Sequence, residues 1–292
     1  MSSDEDMKKS ARSLIEKSGM LTHLKVIDIL KKSGWSVRVS PYYYDDVAES
    51  VREIDIVAEK PFNSAEQRYI STTQLNVQLF VECKYINQDV LLWFDKPNQE
   101  KAVEALEKAT GLQLAVRHSG DVLPDSFRYY TAEKVAKIFS GNSGREDLIY
   151  KALSQSLRAL VYYKQWAPGP IENSFNDHPE SVNHVVRYPV VVCDNFQNLK
   201  ELRIGTDSGN LDVSELKGDF LLETNYVYFN KAKTTTIDDY FWIDFVDANK
   251  LGQFLQILES EAAAILRAQS FIQDIRRSRQ QEQQRERRNP AV

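Results

Sequence analysis

The chain has 292 residues, 27% of them charged and 42% hydrophobic, with a formal net charge of −5. That balance is ordinary for a soluble globular protein and sets the chain apart from basic proteins that coat nucleic acid without selectivity. No apolar run has the length of a membrane span, and the acidic start, Met1-Ser2-Ser3-Asp4-Glu5-Asp6, lacks the apolar centre of a signal peptide. The only two cysteines, Cys83 and Cys193, are far apart and have no CxxC partner, which argues against a disulfide framework and a zinc–cysteine site. A cytoplasmic location is the expectation.

In chain order, residues 7–33 have helical spacing. Leu14 and Ile15, then Leu24, Ile27 and Leu30, predict two short helices broken at Ser18-Gly19, with Gly34 ending the second. Trp35 to Ser40 alternates and predicts a strand, followed by a loop or edge extension over Pro41 to Asp46. Glu53–Glu59 and Leu75–Lys84 read as further strands, with Pro61 to Arg68 in the hairpin connection between them. Val90 to Phe94 is a short apolar run. Helical character follows over Pro97–Thr110, and Ala132–Phe139 reads as a short helix ending near Gly141.

Arg145–Gln165 is a strong helix with Ser143 in its N-cap region, because Ile149, Leu153, Leu157, Leu160 and Val161 recur at helical spacing. Trp166 to Glu180 is a loop. Val185–Cys193 reads as a buried strand, and Leu199–Ile204, Phe220–Phe229 and Tyr240–Val246 as others, before a helix from about Ala248 to Gln273. The tail from Arg276 lacks apolar periodicity and reads as a frayed helix end or disorder. The layout is an α/β protein with a central mixed sheet flanked by helices. Residues 1–195 form the core, 196–275 a strand-rich extension packed on the same domain, and 276–292 an Arg/Gln-rich tail.

Chemistry concentrates in the second and third strands. Side chains alternate faces along a strand, so Asp55 and Glu53 share one face, opposite Ile54, Ile56 and Ala58. In the third strand Leu75, Val77, Leu79, Val81 and Cys83 share the apolar face, and Glu82 and Lys84 point together the other way. An antiparallel pairing brings Asp55, Glu82 and Lys84 to one point. Two carboxylates and an ammonium around a divalent metal suit phosphodiester cleavage.

The order helix, strand, strand with Asp55, strand with Glu82-Cys83-Lys84, helix, strand resembles the PD-(D/E)XK, or restriction-endonuclease-like, superfamily. The resemblance covers residues 10–95 by motif, and extends to about 195 through Arg145–Gln165 and Tyr188–Cys193. It implies that Asp55 and Glu82 ligate Mg²⁺ (or Mn²⁺) with help from the Cys83 backbone carbonyl, and that Lys84 positions the attacking water. Ile54 stands where the family usually has proline. His23 falls near the point where many relatives carry a helix glutamate, and Glu53 and Glu16 are the other auxiliary candidates.

The implied activity is a metal-dependent nuclease acting on DNA, of restriction or phage-defence type, working as a homodimer or with a defence-system partner protein and without a membrane. The alternative is a catalytically silent module on the same fold that binds nucleic acid or a partner protein. Taken singly, Asp55, Glu82 and Lys84 also fit a cross-strand salt bridge on a solvated face. Tyr44, Arg158 and Lys164 are candidate nucleic-acid contacts, although packing beside Trp35 and an amphipathic helix account for the same residues. Arg276 to Arg288 holds six arginines against two glutamates and suits either phosphate contact or a solvated helix end.

Overall fold

The computed structural model describes residues 6, 8, 15, 19–63, 73–98, 100–104, 127–137, 148–166, 182–204, 211–230 and 234–267. Glu16, Ser143 and the tail therefore lie outside the described residues. Helix α1 spans Met20–Lys32, and twelve strands follow among the described residues: β1 Ser36–Val39, β2 Tyr42–Asp45, β3 Ser50–Glu53, β4 Ile56–Asn63, β5 Thr73–Lys84, β6 Val90–Asp95, β7 Val135–Lys137, β8 Val182–Cys193, β9 Leu199–Ile204, β10 Leu211–Glu215, β11 Phe220–Asn230 and β12 Thr235–Asp247. Helix α2 is Arg128–Thr131, α3 is Leu148–Trp166, and α4 covers residues 251–267.

Ten strands form one mixed sheet in the order β1-β4-β5-β8-β12-β11-β7-β6-β9-β10, while β2 and β3 make a separate hairpin. β1, β4 and β5 are antiparallel neighbours, and β8 joins β5 in parallel. A parallel neighbour requires a crossover, and α3 lies on that connection. β6 and β7 come early in the chain yet sit between β11 and β9, so the sheet interleaves segments from both sides of residue 195.

Gly19 is the N-cap of helix α1 and takes a left-handed φ of 73°, a conformation that suits glycine. It ends in a Schellman turn. Trp35 N donates to Leu30 O at 3.0 Å and Gly34 N to Lys31 O at 3.0 Å, with Gly34 in the left-handed region at φ 78°. This turn sets Trp35 into the core and launches β1.

Two apolar layers hold the site half of the sheet. On one side Val26 and Leu30 of α1 and Leu251, Leu255 and Leu258 of α4 pack on Ile56, Ala58 and the alternating Leu75, Val77, Leu79 and Val81. On the other, Ala159, Leu160 and Tyr163 of α3 pack on Ile54, Val57 and Phe80. Strand β5 is thus covered on both faces, which explains why its non-aliphatic face carries Phe80 and the fully buried Gln78.

Four sequence expectations are corrected. Pro41 to Asp46 is not a loop: Tyr42–Asp45 pairs with Ser50–Glu53, Tyr42 opposite Glu53 and Tyr44 opposite Val51. The expected strand Glu53–Glu59 is interrupted at Ile54-Asp55, so Glu53 belongs to the exposed hairpin and Ile54 packs with Val57 rather than with Ile56 and Ala58. Of the expected helix Ala132–Phe139, the described residues 132–137 are not helical, and the last two lie outside the described residues. The helical turn is Arg128–Thr131, and Val135 and Ala136 are buried in β7 between β6 and β11, where sheet pairing overrides local propensity. Strand β10 has no counterpart in the sequence reading. No described helix is long and apolar enough to cross a membrane.

Candidate active site

The site forms where β4 begins and β5 ends. The chain leaves β1 at Ser40, whose left-handed φ of 51° is a conformation that non-glycine residues adopt at a cost of about 1–2 kcal/mol. It then runs out through the β2–β3 hairpin and returns at Ile54. Ile54 N donates to Pro41 O at 3.2 Å and Ser40 N to Asp55 O at 2.8 Å, so the β1–β4 ladder closes across the hairpin base. Asp55 sits on this junction, half-buried, with its backbone fixed from two sides. The second side is α1: His23 Nε2 lies 3.1 Å from the Asp55 carbonyl, and since a carbonyl only accepts, the imidazole donates.

The Asp55 carboxylate crosses to β5, where its Oδ2 accepts from Cys83 N at 2.7 Å. That bond places the carboxylate against the central peptide of Glu82-Cys83-Lys84. Glu82 and Lys84 share a face of β5, and Lys84 Nζ donates to Glu82 Oε2 at 2.8 Å and to Gln155 Oε1 of α3 at 3.4 Å. Glu82 is 1% exposed, so this is not an ion pair on a solvated sheet face. Its other oxygen, Oε1, is buried and has no hydrogen-bond partner among the described residues. A buried carboxylate oxygen without a donor is costly unless something else takes it.

Burial raises the Glu82 carboxyl, the Asp55 charge raises it further, and Lys84 opposes both, which leaves it titrating at about 7 instead of 4.5. Between those values the native state holds a proton that an unfolded glutamate has released. Native stability therefore falls as pH rises through that window. Glu82→Gln is expected to be more stable than the wild type at pH 8, by about 1–3 kcal/mol in the absence of metal, with the gap closing as pH falls toward the ordinary carboxylate range. Urea unfolding in chelator at acid and alkaline pH reads this. Parallel pH profiles for the two proteins would rule it out.

Asp55, Glu82 and Lys84, the three residues expected to carry the chemistry, thus come together. Of the auxiliary candidates, His23 contacts the backbone of Asp55, whereas Glu53 is exposed on β3. The candidate nucleic-acid contacts have other engagements. Arg158 Nη1 bonds the buried Asp45 at 2.6 Å, and Lys164 Nζ bonds Asp239 at 3.3 Å. Tyr44 is 41% exposed on the hairpin.

Sequence reasoning missed Gln155 and Asp45. Gln155 is flanked by buried Leu153 and Leu157 in a helix whose phase was legible, so a polar side chain turned toward β5 was the available signal. Asp45 Oδ1 caps Val47 N and Ala48 N at 2.9 and 3.1 Å while Oδ2 holds Arg158, and no local pattern announces that long-range bond. Tyr43 is a third link. It is buried, its hydroxyl donates to Gln155 O at 3.4 Å, and burial together with the Asp45 and Glu82 charges raises its phenol above the ordinary value.

The residues present suit a hard divalent cation: two carboxylates and a backbone carbonyl in the Cys83 peptide are oxygen donors, and Glu82 Oε1 awaits a partner. Among the described residues no three His, Cys, Asp or Glu side chains gather at one point, so water or substrate oxygens would complete the shell. A separate cavity of about 90 Å³ opens where β8 and β12 diverge, beside Pro189, and includes none of Asp55, Glu82 and Lys84 in its lining. Proline, lacking an N–H, fits a stretch of strand that is not bonded to β12. Comparison with protein-family models, curated proteins and solved structures finds no match to the chain.

Proposed function

We propose that the chain is a metal-dependent nuclease that hydrolyses phosphodiester bonds in DNA, built on a restriction-endonuclease-like core. The observation that carries this reading is the convergence of Asp55, Glu82 and Lys84 at one end of the β4–β5 pair, with the Cys83 peptide bonded to Asp55 and one Glu82 oxygen without a partner among the described residues. The arrangement α1, then antiparallel β1, β4 and β5, then α3, then parallel β8 agrees with the core order of that superfamily. Restriction or phage defence is the setting the resemblance implies.

In this reading Asp55, Glu82 and the Cys83 carbonyl hold Mg²⁺ or Mn²⁺. Bound there, the cation would supply Lewis-acid stabilisation of charge on the phosphate. Lys84 stays next to the reacting phosphate, orients the attacking water and offsets charge on a non-bridging oxygen. Gln155 and Glu82 restrict where its ammonium can swing. Burial of Glu82 keeps the local dielectric low, which strengthens each of these charge interactions.

The first test is metal binding, read without turnover. Mn²⁺ is expected to raise the thermal midpoint of the wild type at pH 8 and to raise it much less at pH 6, because Glu82 must lose its proton to bind. Asp55→Ala should lose the shift. Equal midpoints with and without Mn²⁺ at pH 8 would move the weight to the silent binding module.

A further inference from the structure

The β2–β3 hairpin has two unlike faces. The inner face is anchored: Tyr43 packs on Tyr162 with ring centroids 6.2 Å apart, and buried Asp45 is bonded to Arg158 at 2.6 Å, with Arg52 3.6 Å away. The outer face carries Tyr42, 68% exposed, Tyr44, and Val51, 67% exposed, together with Glu53. None of these four residues is cationic. The outer face presents Tyr42 and Val51 to solvent and leaves Tyr44 41% exposed, a contiguous aromatic row of the kind that marks an interaction site.

Its position narrows the choice. Tyr42 follows Pro41, whose carbonyl is bonded to Ile54 N, and Ile54 precedes Asp55, so the exposed aromatic row starts at the hairpin base beside the site carboxylate. The inner side is wired to the same centre through Tyr43, Gln155 and Lys84. A duplex keeps its base faces stacked inside and out of reach of a tyrosine ring, and this face carries no cation to hold a duplex by its phosphates alone. Splayed bases offer π-faces that stack on tyrosine rings.

We propose that the outer face of the β2–β3 hairpin is a stacking surface for unpaired nucleotides, so that the substrate is a nucleic acid with single-stranded bases next to the scissile bond. This rests on the nuclease reading and adds the form of the substrate to it. Tyr42 and Tyr44 take successive bases, and Val51 covers the edge between them. The rigid inner face keeps the stacked strand in register with Asp55.

The test is fluorescence anisotropy in chelator, so that nothing is cut, with three labelled probes: a DNA single strand, the same strand made abasic, and its duplex. The wild type should bind the single strand tightest. The double variant Tyr42→Ala/Tyr44→Ala should weaken that binding on the order of tenfold to a hundredfold and leave the abasic probe unaffected, whereas Tyr42→Phe/Tyr44→Phe should retain it, because stacking needs the ring. Both side chains are exposed, so matched thermal midpoints establish that the variants are folded.

Equal affinity for base-bearing and abasic strands, or no loss in the alanine variant, overturns the proposal. So does an absence of oligonucleotide binding accompanied by a self-association that the alanine variant abolishes, which assigns the face to a second copy of the chain. Metal-dependent cleavage with no preference for unpaired bases overturns this proposal and leaves the nuclease reading standing. Ring-dependent strand binding with no cleavage of any DNA supports the stacking surface and overturns the nuclease reading instead.

Discussion

Alanine at Asp55 or at Lys84 is expected to abolish Mg²⁺- or Mn²⁺-dependent cleavage of plasmid, linear and single-stranded DNA, with a loss of about 10³-fold or more in rate. The two variants fail for different reasons, and the difference is measurable. Asp55→Ala removes one of two carboxylates and frees the Cys83 N–H, so metal affinity and cleavage fall together. Lys84→Ala leaves both carboxylates in place but takes away the charge that opposes the rise of Glu82. Its metal binding should persist and shift to higher pH, while cleavage stays lost even at saturating metal. A Lys84→Ala protein that cuts at wild-type rate would sink the assignment of Lys84, and full cutting by both variants would sink the whole site. Circular dichroism guards against the trivial outcome of unfolding. That risk is lower for Lys84, whose side chain bonds Glu82 and Gln155 while its backbone bonds do not depend on the side chain.

How much of this was legible beforehand follows from the range of the interactions. The period-2 pattern of Leu75 to Cys83 fixed both faces of β5, and the helical spacing from Ile149 to Val161 located α3, because burial on one face writes a local periodicity. Glu82 and Lys84 fall on the same face by the same arithmetic. The hairpin was not legible: Tyr42, Tyr43 and Tyr44 give no apolar–polar alternation, since the inner face is anchored by Asp45 and one tyrosine rather than by aliphatic side chains. Its presence displaced Glu53 from the Asp55 strand and turned Ile54 toward α3. Strand β7 was misread for a related reason. Val135-Ala136 is too short to show a period, and only β6 and β11 on either side make it a strand. The depth of Glu82 was readable only in part, through Phe80 and Gln78 on its face.

Replacing Arg128 by methionine is expected to cost about 3–5 kcal/mol of stability near neutral pH, far from the site and without touching its chemistry. The Arg128 guanidinium is enclosed, and Nε and Nη2 hold both oxygens of Asp244 at 2.7 and 2.6 Å. Its Nη1 pairs with Glu261, whose other oxygen accepts the Arg128 backbone N–H at 2.8 Å. The guanidinium carbon lies 4.6 Å from the Tyr129 ring centre and 4.4 Å from that of Tyr188. One side chain thereby ties α2, β12, β8 and α4 together. Burial alone would pull the guanidinium down, and the Asp244 and Glu261 charges more than reverse it, so it stays protonated. Without it two buried carboxylates face each other and must take up protons or repel. The penalty should therefore be larger at pH 8 than at pH 5, since desolvation already raises Glu261 and acid would neutralise it. Arg128→Lys keeps the charge and loses the two-pronged geometry, so it should fall between the two. Replacing Arg128, Asp244 and Glu261 together with apolar residues of similar volume should recover most of the loss, because the cost belongs to the uncompensated charges and not to missing packing. Urea unfolding at both pH values measures all four proteins. An Arg128→Met protein within about 1 kcal/mol of wild type at pH 8 would mean that the cluster is solvated rather than buried, and α4 would then owe its place on the sheet to its apolar residues, Leu251, Phe254, Leu255, Leu258 and Ile265 among them.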